Sequence, residues 1–343
     1  MRCAIAIILF LVASAATAAP EPARKLEIGS REAALKWIGL YRNKPQPARV
    51  PDLVRGLSDI GAFHDPESAG AFVGFIAGVL GTNPGRAYRL IDAMLPIQPE
   101  DHWVLVRAVA YSGLPDWKDI LLQYRDGMPT RRAMIEKYVT GGLPTLVEVS
   151  PPKERTLGDK VKGLFSGDSR TPAATWKMDA SPELLDILWG YYFATGSYSP
   201  IYRMIGMLPW SKDKDDTDKL MVGSMTKYTL AVNAARDASL RQMLRRAAAN
   251  QPKDVAPILT DVIDAAETAD TVRIRKEQYA AIEEIKRRGP GYKRELTGWG
   301  RIGEGAIGVG CVTAAVMSVG ALGIPCVIGG AATSAALRYW GGQ

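Results

Sequence analysis

Apolar positions recur at three- and four-residue spacing through most of the chain, the period of a helix with one buried face. Ser68–Gly81 (SAGAFVGFIAGVLG), Arg86–Ile97 (RAYRLIDAMLPI), His102–Gly113 (HWVLVRAVAYSG) and Trp117–Asp126 (WKDILLQYRD) all carry this pattern. Strict polar–apolar alternation, the mark of a half-buried strand, is hard to find. Prolines punctuate the helical segments. Asp65-Pro66, Asn83-Pro84, Gln98-Pro99, Pro115-Asp116 and Pro129-Thr130 follow one another at intervals of 18, 15, 16 and 14 residues. Proline suits the first turn of a helix, where its missing N–H has no intrahelical partner, and a preceding Asp or Asn can accept from the exposed amides. Each interval therefore holds one helix of about three turns and a short connection. Gly113 is placed to end the helix that begins near Pro99.

The rhythm breaks over Gly141–Trp176, GGLPTLVEVSPPKERTLGDKVKGLFSGDSRTPAATW. Paired glycines, paired prolines and clustered charge replace periodicity there, which predicts a linker or long surface loop. Helical spacing returns in SPELLDILWGYYFATGSYSPIYRMIGMLPW, beginning at Ser181. Ser181 is the expected N-cap, Pro182 the first helical residue, and Glu183 complements the positive helix end. Leu184–Phe193 is apolar on nearly every side and predicts a central, buried helix. Asp216–Ala235, Ser239–Asn250 and Lys253–Glu267 continue the pattern, followed by a charged, exposed helix over about 271–288.

The expected fold is all-α: an irregular α-solenoid-like array of short antiparallel helices with a Gly/Ala-rich C-terminal helical hairpin. No strict repeat of the tetratricopeptide type is present. The boundaries read as a signal peptide over 1–18, an N-terminal helical array over 19–140 and a linker over 141–176. A second array over 177–290 and a glycine-rich hydrophobic segment over 291–343 complete the chain.

The N-terminus has the tripartite form of a secretory signal. Arg2 is followed by an apolar stretch, Ala4–Val12, and by the small residues Ala16-Thr17-Ala18. The stretch is too short to span a bilayer as a helix. Cleavage after Ala18 keeps Pro20 away from the cut. Cys3 precedes the apolar region, which argues against a lipoprotein anchor. The chain is therefore expected to be exported, to the periplasm or cell envelope. Composition is that of a globular chain, 47% hydrophobic and 23% charged. Its net charge of +7 is mild; it suits anionic lipid or wall polymers, and lacks the dense basic face of a nucleic-acid binder.

Gly305–Leu337 contains no charged residue. Its 33 residues could span a bilayer, yet only 11 are Leu, Ile, Val or Met, so the drive to insert is weak. Gly320, Gly323 and Pro325 interrupt it near the middle. Lys293, Arg294 and Arg301 precede it, which for an exported body opposes the usual orientation of a single span. After signal removal the cysteines are Cys311 and Cys326, a natural pair in an oxidising compartment. On one straight helix they would stand roughly 22 Å apart, against the ~7 Å limit for a disulfide. A Cys311–Cys326 bridge thus requires the hairpin and excludes a continuous span.

Three segments carry a resemblance: WIGLYRNKPQPARVPDLVRGLSDIGAF (Trp37–Phe63), FVGFIAGVLGTNPGR (Phe72–Arg86) and WGYYFATGSYSPIYRMI (Trp189–Ile205). They resemble an uncharacterised group of secreted, all-helical proteobacterial proteins over about residues 30–265. The resemblance implies a helical fold and export, and assigns no catalytic residue.

Candidate chemistry is sparse. His64 and His102 are the two histidines, and neither stands in an HExxH or zinc-ligand pattern. A GxSxG elbow and a phosphate-binding loop are absent from the sequence. GWGRIG (Gly298–Gly303) and GEGAIG (Gly303–Gly308) satisfy GxGxxG literally, but a charged helix precedes them where a dinucleotide fold needs a strand. SKDKDDTDK (Ser211–Lys219) invites a calcium loop from Asp213, yet Asp218 and Ser224 stand where the loop needs Gly and Glu. It reads as a solvated turn. Trp189, Tyr191, Tyr192 and Phe193 could line a ligand groove or pack in the core. With no catalytic, cofactor-binding or metal residue assigned, the expected role is a non-enzymatic scaffold or binding protein. Its partner would be a protein or peptide, not nucleic acid; the alternative is a membrane-associated protein whose segment 305–337 inserts as an anchor or pore element.

Overall fold

The proline punctuation takes a definite form in the computed structural model, which describes residues 26–149 and 180–268. Short 3-10 turns at Pro47–Arg49, Pro66–Ser68, Pro84–Arg86, Pro99–Asp101 and Pro129–Arg131 each precede an α-helix, four of them directly and Pro66–Ser68 with only Ala69 between. In every one, the amide three residues on bonds back to the proline carbonyl. The proline thus supplies a fixed φ and an acceptor one turn ahead of the helix, rather than sitting in the helix itself. Asp65 caps as its position suggests, its carboxylate accepting from the Glu67 amide at 3.1 Å. Asn83 does the reverse of the expectation: its Nδ2 donates to the Val79 carbonyl at 2.8 Å and closes the preceding helix.

Thirteen α-helices form among the described residues, and no strand. The first eight are α1 (Arg31–Tyr41), α2 (Val50–Asp59), α3 (Gly70–Thr82), α4 (Ala87–Met94), α5 (His102–Tyr111), α6 (Trp117–Tyr124), α7 (Arg132–Val139) and α8 (Leu146–Val149). The remainder are α9 (Pro182–Thr195), α10 (Ser199–Met207), α11 (Thr217–Arg236), α12 (Ala238–Ala248) and α13 (Ala256–Glu267). Gly113 takes φ +73°, a left-handed conformation that ends α5 as anticipated. Ser181 accepts from the Leu184 amide at 3.1 Å and starts α9. The short helix α8 lies inside the stretch read as a linker.

Two helices are apolar around nearly their whole circumference, α3 and α9, and they pack on each other. Glycine makes the approach unusually close. A Cβ on Gly74 would stand 2.0 Å from the Ile187 carbonyl oxygen, and one on Gly190 would stand 2.0 Å from that of Ala71. Backbone therefore meets backbone at this crossing, and the flanking Phe72, Phe75, Ile76, Leu185, Leu188 and Trp189 are driven into one continuous core. That core extends from α1 and α2 through α3, α5 and α9 to α11 and α13. Helices from either side of residues 150–179 thus share one apolar interior.

Among the described residues, no helix is long and apolar enough to cross a membrane. The expected signal segment 1–18, the expected charged helix over about 271–288, both GxGxxG matches, Gly305–Leu337 and the Cys311–Cys326 pair lie outside the described residues.

Candidate functional site along the central helix

Helix α9 carries the four aromatic residues singled out in the sequence, and its length places them against four neighbouring elements. Trp189, Tyr192 and Phe193 are buried, with exposures of 0%, 0% and 5%. These three face packed neighbours rather than an open groove. Tyr191 is half-buried. The rings of Trp189 and Phe193 stack at 5.6 Å between centroids, and Tyr192 meets Trp189 edge-on at 5.8 Å. Residues four apart on a helix share a face, which accounts for the first pair.

Four polar side chains on this apolar helix, Glu183, Trp189, Tyr191 and Tyr192, reach across to other parts of the chain. The Trp189 indole N–H donates to Thr229 Oγ1 of α11 at 3.0 Å. The Tyr191 hydroxyl donates to the Ser112 carbonyl, just beyond α5, at 3.4 Å. Tyr192 Oη accepts from Arg42 Nη1 at 2.8 Å and donates to Asp237 Oδ2, also at 2.8 Å. At the start of α9, Glu183 grips Arg107 of α5 with both carboxylate oxygens, one of them at 3.2 Å.

Two of these ties are ionic and largely withdrawn from water. Arg107 is 7% exposed and packs over the ring of Tyr111 with its guanidinium carbon 5.2 Å from the centroid. Burial works against its charge, but Glu183 more than restores it and holds the guanidinium well above its ordinary value. Tyr138 meets Tyr111 edge-on behind this pair, and burial pushes its hydroxyl well up.

The second tie joins three parts of the chain. Arg42 caps the C-terminus of α1, and Asp237 stands at the corner between α11 and α12. Arg42 Nη2 donates to Asp237 Oδ2, and its guanidinium carbon lies 5.0 Å from the centre of the Tyr192 ring. Asp237 Oδ1 accepts from the amides of Ser239 and Leu240 at 3.0 and 3.1 Å, so the same carboxylate starts α12. Burial alone would raise the Asp237 pKa. The Leu240 amide, the Tyr192 hydroxyl and Arg42 outweigh it and hold the carboxyl below its usual range. Burial pushes the Tyr192 hydroxyl up, and its bond to Asp237 adds to the shift.

The remaining sequence candidates occupy local roles. His64 is exposed at the α2–α3 connection. His102 begins α5 and is 7% exposed, with Nε2 at 3.3 Å from the Leu95 carbonyl. Asp213 Oδ1 accepts from the amides of Asp215 and Asp216, and Asp216 Oδ1 accepts from those of Asp218 and Lys219. The acidic run is therefore a turn that caps α11. No group of three or more His, Cys, Asp or Glu able to hold a metal ion occurs among the described residues. Sequence reasoning passed over Arg42, Arg107 and Asp237. Their partners lie 150 and 195 residues away for Arg42, and 76 for Arg107, so no local spacing marks them.

Comparison with models of known protein families, with curated proteins and with solved structures yields no match.

Proposed function

We propose that the chain is an exported, non-enzymatic helical scaffold or binding protein of the bacterial cell envelope. The observation that carries this reading is the use made of polar groups on α9. Glu183, Trp189, Tyr191 and Tyr192 are each engaged with α1, α5, α11 or the α11–α12 corner. Interior chemistry of this kind fixes helix positions and leaves recognition to the outer faces. Those faces expose the large apolar side chains Leu40, Ile60, Leu122, Val147 and Tyr202, at which contact with a partner can be probed. The secretory pattern of residues 1–18 supports the location.

A specific test combines fractionation with crosslinking. Cells expressing the tagged chain are separated into cytoplasm, periplasm and membrane, and the mature N-terminus is read by mass. A photo-crosslinking residue at Leu122 or Leu40 is then activated in intact cells. Cleavage after Ala18 and a discrete adduct in the envelope fraction would support the proposal. Retention in the cytoplasm with residues 1–18 intact would overturn it.

A second reading rests on the charge distribution. The described residues hold 24 basic and 25 acidic side chains, so the net +7 of the chain comes from elsewhere. Residues 269–343 hold ten basic and six acidic side chains together with the uncharged stretch Gly305–Leu337. Positive charge beside an uncharged apolar stretch favours anionic lipid. The alternative is therefore membrane association through this tail. Extraction by alkaline carbonate would count against it, and retention in the membrane pellet would support it.

A further inference from the structure

Helix α1 is fastened at both ends by arginine, and the two fastenings differ in kind. At its start, Arg31 Nη2 donates to the Ala62 carbonyl at 2.7 Å and to Ser68 Oγ at 2.8 Å. Both acceptors are neutral, and the guanidinium also lies 5.8 Å from the centre of the Phe72 ring. At its end, Arg42 is held by the Asp237 carboxylate and the Tyr192 hydroxyl. Between them, α1 lays Ala34, Leu35, Ile38 and Tyr41 on the core. Trp37 and Tyr41 cover Phe75 of α3, with centroid separations of 5.8 and 4.9 Å.

We propose that α1 is a hinged strap, pivoting at Arg31 and latched at Arg42, and that loss of charge on Asp237 releases the latched end. The reason is the direction of the hydrogen bonds. Asp237 Oδ2 receives two donors, the Arg42 guanidinium and the Tyr192 hydroxyl. A proton on that oxygen meets a fixed cation and an O–H already pointing at it, and both bonds fail together. Protonation on Oδ1 instead confronts the Ser239 and Leu240 amides, which cap α12. Either way one proton loosens the corner. The groups facing the carboxylate are Arg42 from α1, Tyr192 from α9 with Tyr198 stacked on its ring at 6.3 Å, and those two amides from α12. In acid the Asp237 carboxylate is the member of this group that takes up a proton. At the Arg31 end the Asp65 and Glu32 carboxylates act on the guanidinium only through their charge, and the hydrogen bonds themselves go to carbonyl and hydroxyl oxygens, which take up no proton in this range. Opening uncovers an aromatic face made of Phe75 and Tyr192.

The sign follows from the lowered pKa. The latch is intact above about pH 4, where an unfolded aspartate ionises, and is lost as pH falls through the lower folded value. Hydrogen exchange followed by mass spectrometry on the full chain tests this, with rates corrected for intrinsic pH dependence. Asp237→Asn keeps a capping oxygen for α12 and removes the charge. At neutral pH it should speed exchange over Trp37–Tyr41 roughly a hundredfold, leaving α5 and α11 unchanged. In the wild type the same peptide should accelerate below about pH 4. Arg42→Gln should reproduce the neutral-pH effect, and Arg31→Gln should accelerate the N-terminal half of α1 without conferring acid sensitivity. Uniform acceleration of all helices in both Asp237→Asn and Arg42→Gln would show a global loss of stability and overturn the strap. So would unchanged exchange over Trp37–Tyr41.

Discussion

Replacing Gly74 by alanine tests the packing of α3 on α9 with a single methyl group. On propensity alone the change favours the helix by about 0.5–1 kcal/mol, because glycine loses more backbone freedom than alanine. The structure reverses the sign. The added Cβ would lie 2.0 Å from the Ile187 carbonyl oxygen, 2.7 Å from its carbon and 2.8 Å from its Cα. All three are backbone atoms, so no side-chain rotation relieves the overlap. Restoring an ordinary separation of about 3.4 Å moves α9 away by more than 1 Å, at the crossing where Phe72, Phe75, Leu188 and Trp189 interdigitate. Overpacking of this kind costs typically 1–3 kcal/mol, and the looser packing of the flanking side chains brings the expected total to about 3–5 kcal/mol. Urea unfolding of the full chain measures it as a lower midpoint with an unchanged slope. Gly39→Ala supplies the control. That glycine also lies in a helix, α1, but its Cβ would meet nothing within 4 Å, so the same substitution should stabilise by about 0.5–1 kcal/mol. If both variants shift the midpoint in the same direction, the backbone contact between α3 and α9 is refuted.

The buried ion pair gives a second expectation. Arg107→Met leaves Glu183 without its cation and should cost about 3–5 kcal/mol, whereas the double change with Glu183→Met should recover much of that, read by a double-mutant cycle in denaturant. Trp189→Phe removes the donor to Thr229 and part of the ring volume, for a loss of about 1–3 kcal/mol by the same melts. Ser181→Ala removes the N-cap of α9 and should cost about 1 kcal/mol. Alkaline pH should destabilise the fold. Burial raises the pKa of Tyr41 to about 12 and also raises those of Tyr138 and Tyr192. Their contribution is complete below the unfolded value near 10 and is lost as pH rises through the folded values. Phenolate absorbance should therefore rise in step with loss of helical circular dichroism. A phenolate titration completed with full helicity would contradict the burial of these residues.

Much of the secondary structure was legible because it rests on local rules. Ser181 and Asp65 cap helices, Gly113 ends one, and the prolines mark the turns that precede helices, all within a few residues of the group they serve. Asn83 shows the limit of that logic. The same side chain can cap the helix ahead or close the one behind, and here it joins Thr82 Oγ1 in donating to the Val79 carbonyl of α3. The burial of α9 was visible in its all-round apolar sequence, but its role as the meeting point of four elements was not. Trp189 and Tyr192 look alike whether they line a groove or fill a core, since both settings want a large apolar body with a polar tip. Arg42, Asp237, Arg107 and Glu183 acquire their meaning only from partners far away in the chain. The glycines of α3 gave a weaker signal, a small residue every fourth position, whose purpose depends on a helix that follows more than a hundred residues later.

The pairing of α3 with α9 also dictates an order of events in folding. Gly70–Thr82 is completed long before Pro182–Thr195 in synthesis, and until then its bare apolar surface lacks the partner that buries it. Contacts between such distant segments form slowly, and exposed hydrophobic surface in the interval invites association with other chains. A fragment ending near residue 149 would keep α3 in that orphaned condition permanently. The first 149 residues are therefore expected not to form an independently stable unit, however regular their helices, an expectation that thermal melting of that fragment by circular dichroism checks.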